Sequence, residues 1–284
     1  MLDRYHIEHE LETGARGAVF RGRDRETGRV VAIKLVADAG AVLFPRRNKQ
    51  DSGHLADGIA SLVHPHIAAI YESARAGHLR YVVMEFAQGT DLRAHSSPST
   101  LLPLSTVLSI AVRMADAVQH LHDCGVVHGD IKPANIVFNA ATDRVKLTDV
   151  GASFWQSEPT AGTPAYMAPE QLCGFPPSAA ADQFAFGVTL YQLTCGHLPF
   201  TGPHRPAIVR RIVNEAHADI RVHQPTVPAA LVAILDATLR KKSGTRYSSF
   251  EVLRHALRSV TAEFQPARNG HSFAPCPENR VGGP

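Results

Sequence analysis

The first 85 or so residues carry the hydrophobic pattern of β-strands. Apolar and polar residues alternate from Tyr5 to Leu11, and residues 30–36 continue a β-rich run. A short helix is predicted over residues 55–63 and a buried strand over residues 81–86. Glycines predict the turns between these strands, and they stand at positions 14, 17, 22 and 28. The amino-terminal part of the chain is therefore predicted to be mostly strand.

After Gly89 the spacing of apolar residues changes to that of helices. Apolar residues recur on one face of a predicted helix, with Ser105 as its N-cap and Gly125 just past its end. A second helix, over residues 181–195, is apolar nearly all round and is expected to be buried. Further helices are predicted over residues 207–216, 229–239 and 250–264.

This change of periodicity predicts an α+β fold with two lobes. A small β-rich lobe covers residues 5–84, a hinge covers 85–89, and a larger helical lobe covers 90–262. Residues 263–284 contain prolines and glycines with little periodicity, which is typical of a flexible tail. A chain of 284 residues is long enough for two lobes with cores of their own.

Composition argues against several classes of function. The net charge of +3 is too small to indicate a nucleic-acid partner. There is no run of about 18 apolar residues, so no membrane span is predicted. The four cysteines lack the paired spacing of metal sites, and no signal-peptide pattern is present. Free thiols in a reducing cytoplasm are therefore expected.

The candidate chemistry is concentrated in residues 127–135, which read VHGDIKPAN. They place the carboxylate of Asp130, the ammonium of Lys132 and the amide of Asn135 at fixed offsets. Phosphoryl transfer uses these groups to position a hydroxyl, neutralise the moving phosphoryl group and hold Mg²⁺. A second carboxylate, Asp149, follows Asn135 by fourteen residues, after two short β-like runs.

Four motifs in this order resemble a protein kinase of the bacterial serine/threonine type. They are VAIK at 31–34, the stretch at 127–135, DVG at 149–151 and MAPE at 167–170. Lys132 and the segment GTPAY at 162–166 are typical of serine/threonine rather than tyrosine kinases. The resemblance implies a protein kinase domain over residues 5–262 that transfers phosphate from ATP, with Mg²⁺, to serine or threonine hydroxyls of protein substrates.

The resemblance also implies a role for each catalytic residue. Asp130 would orient the substrate hydroxyl and accept its proton. Lys132 would stabilise the transferring phosphoryl group, and Lys34 would contact the α- and β-phosphates. Asn135 and Asp149 would hold Mg²⁺.

A set of nucleotide-binding residues follows from the same resemblance. It comprises Leu11, Gly14, Gly17, Val19, Ala32, Lys34, Glu85, Ala87 and Asp91. The two glycines would let backbone N–H groups approach phosphates. The backbone of Glu85 and Ala87 would hydrogen-bond adenine, Ala32 would pack on it, and Asp91 would reach the ribose.

Further residues have structural roles in the implied family. Glu170 would pair with Arg246, and Asp182 would hold the backbone of the catalytic loop. Thr163 would contact the catalytic aspartate and lysine. The alternative for Asp182 is a helix N-cap or an acid in the first turn of a helix, without catalytic meaning.

Three positions depart from the family pattern. Glu12 stands where the first glycine of the phosphate loop belongs, so its carboxylate is expected to point outward. Leu55 stands where a helix glutamate would pair with Lys34, and we hypothesise that Asp51 partly replaces that glutamate. Val150 replaces a phenylalanine, which is expected to thin the packing between the lobes.

Gly129 replaces the arginine that many members of the family carry before the catalytic aspartate. That arginine clamps a phosphate on the activation segment. Its absence predicts activity that does not require phosphorylation of Ser153, Ser157 or Thr160.

Two alternative functions stay open at this point. The first is a small-molecule kinase, because a His-Gly-Asp stretch followed by an asparagine also occurs there. Lys132 and residues 163–170 speak against it. The second is a pseudokinase scaffold that binds nucleotide or a partner protein without catalysis, which the three departures favour. The complete set of phosphoryl-transfer residues speaks against the scaffold.

Overall fold

The computed structural model describes residues 4–14, 17–37, 62–76, 79–150 and 164–264. Its strands are β1 (Tyr5–Gly14), β2 (Gly17–Asp24), β3 (Val30–Ala37), β4 (Ile70–Ala76), β5 (Leu79–Glu85), β6 (Thr90–Asp91), β7 (Ile136–Asn139) and β8 (Arg144–Leu147). Its α-helices are α1 (Leu104–Asp123), α2 (Pro169–Leu172), α3 (Ala179–Cys195), α4 (Arg205–Asn214), α5 (Ala229–Thr238) and α6 (Phe250–Phe264). Short 3-10 turns lie at Leu92–His95, Pro133–Asn135, Pro164–Tyr166, Ile220–Val222 and Ser243–Thr245.

Five strands form one antiparallel sheet in the order β1-β2-β3-β5-β4. Side chains alternate between its faces, as the period of two requires. One face buries the cluster Tyr5, Val31, Ile33, Tyr81 and Val83. The other face buries the cluster Ala32, Val82 and Met84. Lys34 follows Ala32 by two residues, so it lies on the second face of β3.

The helical part of the chain packs around α3, nearly all of whose residues are buried. The all-apolar pattern over residues 181–195 predicted this burial. The helix begins two residues earlier than predicted, because the Ser178 hydroxyl accepts a hydrogen bond from the Ala181 N–H at 3.2 Å. It ends at Gly196, whose φ of 77° stops the helix.

The predicted N-cap of the first long helix was wrong. The helix α1 begins at Leu104, and Pro103 is the N-cap. The Pro103 carbonyl accepts the first two backbone bonds, from Thr106 and Val107 at 2.9 and 3.1 Å. The fixed φ of proline sets up this start, so no Ser105 side chain is needed.

The predicted ends of the other helices agree to within two residues. Gly125 does follow the end of α1, with φ of 73°. The helix predicted over 207–216 is Arg205–Asn214, because the His204 side chain accepts a hydrogen bond from the Ala207 N–H at 3.2 Å. Of the helix predicted over 55–63, residues 55–61 lie outside the described residues, and 62–63 are not helical.

A three-stranded sheet, β6-β7-β8, joins the two parts of the fold. Ile67 forms a parallel bridge with Leu147 of β8, and Glu85 at the end of β5 bonds back to the Ala69 carbonyl. The segment around residues 67–69 therefore contacts both β5 and β8. No helix among the described residues is both long and apolar enough to cross a membrane.

Gly187 provides a test of the packing between α3 and α5. A Cβ at this position would lie 2.5 Å from the Thr238 hydroxyl and 2.9 Å from its Cβ. Because Thr238 is fully buried, Gly187→Ala should lower the free energy of unfolding by about 1–3 kcal/mol through overpacking. Gly244→Ala is the control, since a Cβ there meets open space. Denaturant unfolding checks both, and equal values for the two variants would contradict the packing.

Candidate active site

The carboxylate of Asp182 anchors the catalytic loop to α3. Asp182 is 2% exposed. Its Oδ2 accepts hydrogen bonds from the His128 N–H at 2.9 Å and lies 2.8 Å from His122 Nε2. Its Oδ1 accepts the Gly129 N–H at 2.8 Å. The predicted contact between Asp182 and the loop backbone is confirmed. Asp182 also lies in the first turn of α3, whose N-cap is Ser178.

His128 connects this loop to the segment after β8. Its ring is fully buried. Nδ1 accepts the Asp130 N–H at 3.2 Å, so Nε2 carries the proton and donates to the Thr148 carbonyl at 3.0 Å. Sequence reasoning gave His128 no role. Its place two residues before Asp130 was the available signal.

Asp130, Lys132 and Asn135 lie together in the loop. The Lys132 ammonium donates to Asp130 Oδ2 at 2.7 Å. Asn135 Nδ2 donates to the Asp130 carbonyl at 2.7 Å and to its Oδ2 at 3.1 Å. The Asp130 side chain is only 9% exposed. One carboxylate, one cation and one amide are thus held within direct contact.

Asp149 faces the other lobe across the cleft. Its Oδ2 accepts a hydrogen bond from the Lys34 ammonium on β3 at 2.6 Å. Its φ of 59° lies in the left-handed region, which is uncommon for residues other than glycine. Such backbone strain clusters at functional sites. Leu55 and Asp51 lie outside the described residues, so the Asp51 hypothesis stays a prediction.

An inner pocket lies in the cleft between the lobes. It is lined by Lys34, Val36, Ala68, Ile70, Val82, Met84, Asp149 and Val150. Val150 is 5% exposed. The valine therefore fills the wall of this cleft beside Asp149.

Of the predicted adenine contacts, Ala32 lies on the cleft face of the sheet with Val82 and Met84, and Val19 packs against them. Ala87 is half-buried in the segment after β5. Leu11 is 44% exposed on β1. Side chains on one face of the sheet therefore form an apolar surface at the position predicted for adenine.

The Glu85 side chain binds residues behind the hinge. Its Oε2 accepts the Lys146 ammonium at 2.8 Å and the Ala69 N–H at 3.2 Å. Lys146 also donates to the Ile67 carbonyl at 3.1 Å. Sequence reasoning missed Lys146, although its place between the buried Val145 and Leu147 on β8 indicated that it faces the opposite side.

The two loop glycines differ in their surroundings. Gly17 has a φ of 118°, and a Cβ there would collide with the Leu35 carbonyl of β3. A Cβ at Gly14 would meet nothing within 4 Å. Of these two positions, the packing of the protein itself requires glycine only at Gly17.

Glu12, at the position of the missing glycine, points outward as expected. Its side chain is 53% exposed, and its Oε1 accepts Arg93 Nη1 at 2.9 Å. Arg93 also forks onto the Asp91 carboxylate, with two contacts of 2.9 Å. The carboxylate predicted to reach the ribose is therefore shared with an arginine that sequence reasoning did not single out.

Glu170 and Arg246 form the predicted pair. The two guanidinium contacts are 2.6 and 2.8 Å, and the Arg246 side chain is fully buried. Nearby, the Tyr166 hydroxyl donates to Gln192 Oε1 at 2.6 Å. Burial raises the pKa of Tyr166 to about 12, and the charge of Asp130 adds to the rise. Residues 164–170 are thus fixed against α3 next to Asp130, whereas Thr163 lies outside the described residues.

Comparisons with known proteins agree with this geometry. Residues 5–257 match the family described as Protein kinase domain. The chain belongs to the protein kinase family. The predicted resemblance is confirmed, since the curated relatives are named bacterial serine/threonine kinases. The kinase PkaA of Streptomyces coelicolor is 32% identical over 90% of this chain and 50% of its own length. PknA of Mycobacterium tuberculosis is 29% identical over 96% of this chain and 64% of its own length.

The chain spans 42% of the probable kinase PknB of Lactococcus lactis, to which it is 29% identical over 92% of its length. The solved kinase domain of Mycobacterium tuberculosis PknI matches with a TM-score of 0.70 and 24% identity, over 90% of this chain and 96% of that one. Rad53 1-466 in complex with AMP-PNP matches with a TM-score of 0.75 and 23% identity, over 91% and 65%. These structures confirm the predicted two-lobed fold.

The anchoring role of Asp182 leads to a stability prediction. In Asp182→Asn an amide N–H₂ must face donors, so one or more buried N–H groups lose their acceptor. The free energy of unfolding should fall by about 2–4 kcal/mol. Asp123→Asn, an exposed acid at the end of α1, should change it by less than about 0.5 kcal/mol. Denaturant unfolding measures both, and a similarly small change in Asp182→Asn would contradict the anchor.

Proposed function

We propose that this chain transfers the γ-phosphate of ATP to serine or threonine hydroxyls of protein substrates. One observation carries the proposal: Lys132 and Asn135 both contact Asp130, and His128 joins their loop to Thr148, next to the Asp149–Lys34 pair. Family membership supports the same reaction. The names of the curated relatives as serine/threonine kinases support the acceptor class.

In this proposal Asp130 orients the acceptor hydroxyl and takes its proton. The Lys132 ammonium, held 2.7 Å from Asp130 Oδ2, balances negative charge where the phosphoryl group moves. The three bonds that hold the loop at His128 and Gly129 keep Asp130 in position before substrate arrives. Preorganised groups of this kind lower the barrier without rearranging during the reaction.

The donors at the predicted metal site suit Mg²⁺. Asn135 offers an amide oxygen and Asp149 a carboxylate, and Mg²⁺ takes oxygen ligands of this kind together with phosphates. Asn135 and Asp149 would hold the ion, which supplies positive charge to the phosphates when bound. Lys34 already contacts Asp149 at 2.6 Å, so a second cation lies beside the same carboxylate.

The alternative functions receive no support from the described residues. The Glu12 carboxylate, one of the departures from the family pattern, is paired with Arg93. The fixed segment from Tyr166 to Glu170 fits a platform for a peptide rather than a small-molecule site. The protein substrates and the location in the cytoplasm stay predictions.

Because Gly129 stands in place of the arginine, activity without phosphorylation of the activation segment is part of this proposal. Gly129 has a φ of 80°, and its N–H is bound to Asp182. No side chain there can clamp a phosphate. We therefore retain the expectation of activity without phosphorylation at Ser153, Ser157 and Thr160, which lie outside the described residues.

Replacing the proposed base tests the reaction. Asp130→Asn should lower the rate of phosphate transfer from labelled ATP to a generic protein substrate by about 10²–10⁴-fold, the usual contribution of a positioned base. Asp123→Asn is the matched control at an exposed acid and should keep the parent rate. Thermal unfolding verifies that both variants are folded. Equal phosphate incorporation by Asp130→Asn and the parent would rule out the assignment.

Replacing Asp149 tests the metal assignment without an activity assay. In the parent, ATP with Mg²⁺ should raise the unfolding temperature by a few degrees, about 2–8 °C at saturating nucleotide. Chelation of Mg²⁺ should remove most of this rise. Asp149→Ala should show little rise in either condition, while Asp123→Ala behaves as the parent. A rise in Asp149→Ala that still depends on Mg²⁺ would show that the metal is held elsewhere.

A further inference from the structure

Arg93 binds two carboxylates that belong to different lobes. Its Nε and Nη2 contact Asp91, which follows the hinge, at 2.9 Å each. Its Nη1 contacts Glu12 of β1 at 2.9 Å. We call this group, Glu12–Arg93–Asp91, the strap. It joins the phosphate-loop hairpin to the segment after the hinge.

The local structure of β1 places Glu12 at this end of the cleft. The pairing of β1 with β2 shifts register between Glu10 and Glu12, so the alternation of side chains is interrupted there. Glu12 is followed two residues later by Gly14, at the turn of the hairpin. A glycine at position 12, as in the family pattern, could not make the contact with Arg93.

The Arg93 guanidinium can donate to two carboxylates at the same time. The fork of five N–H donors is planar, so Nε and Nη2 can serve Asp91 while Nη1 serves Glu12. Asp91 also accepts the Arg93 backbone N–H at 2.9 Å, which fixes the arginine relative to it. The hydrogen bond to Asp91 raises the pKa of Arg93 above its usual value, and the Glu12 charge adds to this.

We propose that the strap holds the hairpin closed over the nucleotide cleft and slows the release of nucleotide. The inference rests on the proposed function, because the kinase function is what assigns Asp91 to the ribose end of the cleft. Glu12 and Arg93 are then positioning residues that act through the hairpin. Both side chains are about half exposed, so the effect is modest and sensitive to salt.

A simple charge effect predicts the opposite sign. Glu12→Gln removes one negative charge near a site for an anionic nucleotide, and by that effect alone release should become slower. Loss of the strap should make release faster. The direction of the change therefore separates the two explanations.

The test is a double-mutant cycle with Glu12→Gln, Arg93→Gln and the double variant, and with Glu10→Gln as control. Glu10 is exposed on the same strand. Stopped-flow fluorescence measures release of the Mg²⁺ complex of 2-aminopurine riboside diphosphate, whose ribose carries no label that would lie against Asp91. Hydrogen exchange of the amides in β1 and β2 measures opening of the hairpin without nucleotide.

Each single variant should release the probe about two- to fivefold faster than the parent, in keeping with an exposed ion pair. The double variant should be no faster than the faster single variant, and Glu10→Gln should match the parent. Amide exchange in β1 and β2 should follow the same order. At about 0.5 M salt the ratio between Glu12→Gln and the parent should approach one, because exposed charges are then screened.

Unchanged or slower release in Glu12→Gln, or additive effects in the double variant, would overturn the strap. If the parent binds the probe and release does not respond, the inference alone fails. If the parent binds neither the probe nor ATP with Mg²⁺ in the thermal-unfolding assay, the proposed function fails, and the inference fails with it. If amide exchange responds in the Glu12 and Arg93 variants while release of the probe does not, the two ion pairs are only a structural tie, and the proposed role in release is overturned.

Discussion

The buried carboxylate of Asp182 is the constraint on which the catalytic part of the structure depends. A charge removed from water is costly unless donors surround it. Here two backbone N–H groups and the His122 ring meet that need. The donors come from the catalytic loop and α1, and the acceptor belongs to the most deeply buried helix. The loop is therefore fixed against the core of the larger lobe, and Asp130 takes its position from this anchor.

A second series of contacts links the catalytic loop to the smaller lobe across the cleft. His128 donates to the Thr148 carbonyl, and the next residue, Asp149, holds Lys34 of the smaller lobe. Behind the hinge, Lys146 and Glu85 bind each other and the segment around residues 67–69. At the mouth of the cleft, Arg93 joins Glu12 to Asp91. Lys34–Asp149 and Glu12–Arg93 each contain one partner from each lobe, and Lys146 pairs with Glu85 of the hinge. The geometry of these ion pairs therefore depends on how the lobes are set relative to each other.

Much of the candidate site followed from the order of motifs along the chain. The roles of Asp182 and of the Glu170–Arg246 pair came from the resemblance, and the structure contains both contacts. Helix positions followed from periodicity, because burial of one face requires it. Their first residues were less predictable: Pro103, Ser178 and His204 decide where helices begin through single hydrogen bonds or a fixed φ. Such local competition leaves little trace in the apolar pattern.

The sequence by itself determined the family, the two-lobed α+β fold and the residues available for phosphoryl transfer, since motif order and periodicity are properties of the chain. Only the tertiary structure decided which charges meet. Lys34 pairs with Asp149, 115 residues away, and Glu12 pairs with Arg93, 81 residues away. Lys146 finds Glu85 because β8 passes behind the hinge. Partners so distant along the chain are selected by the packing of strands and helices, and no local pattern of residues encodes that choice.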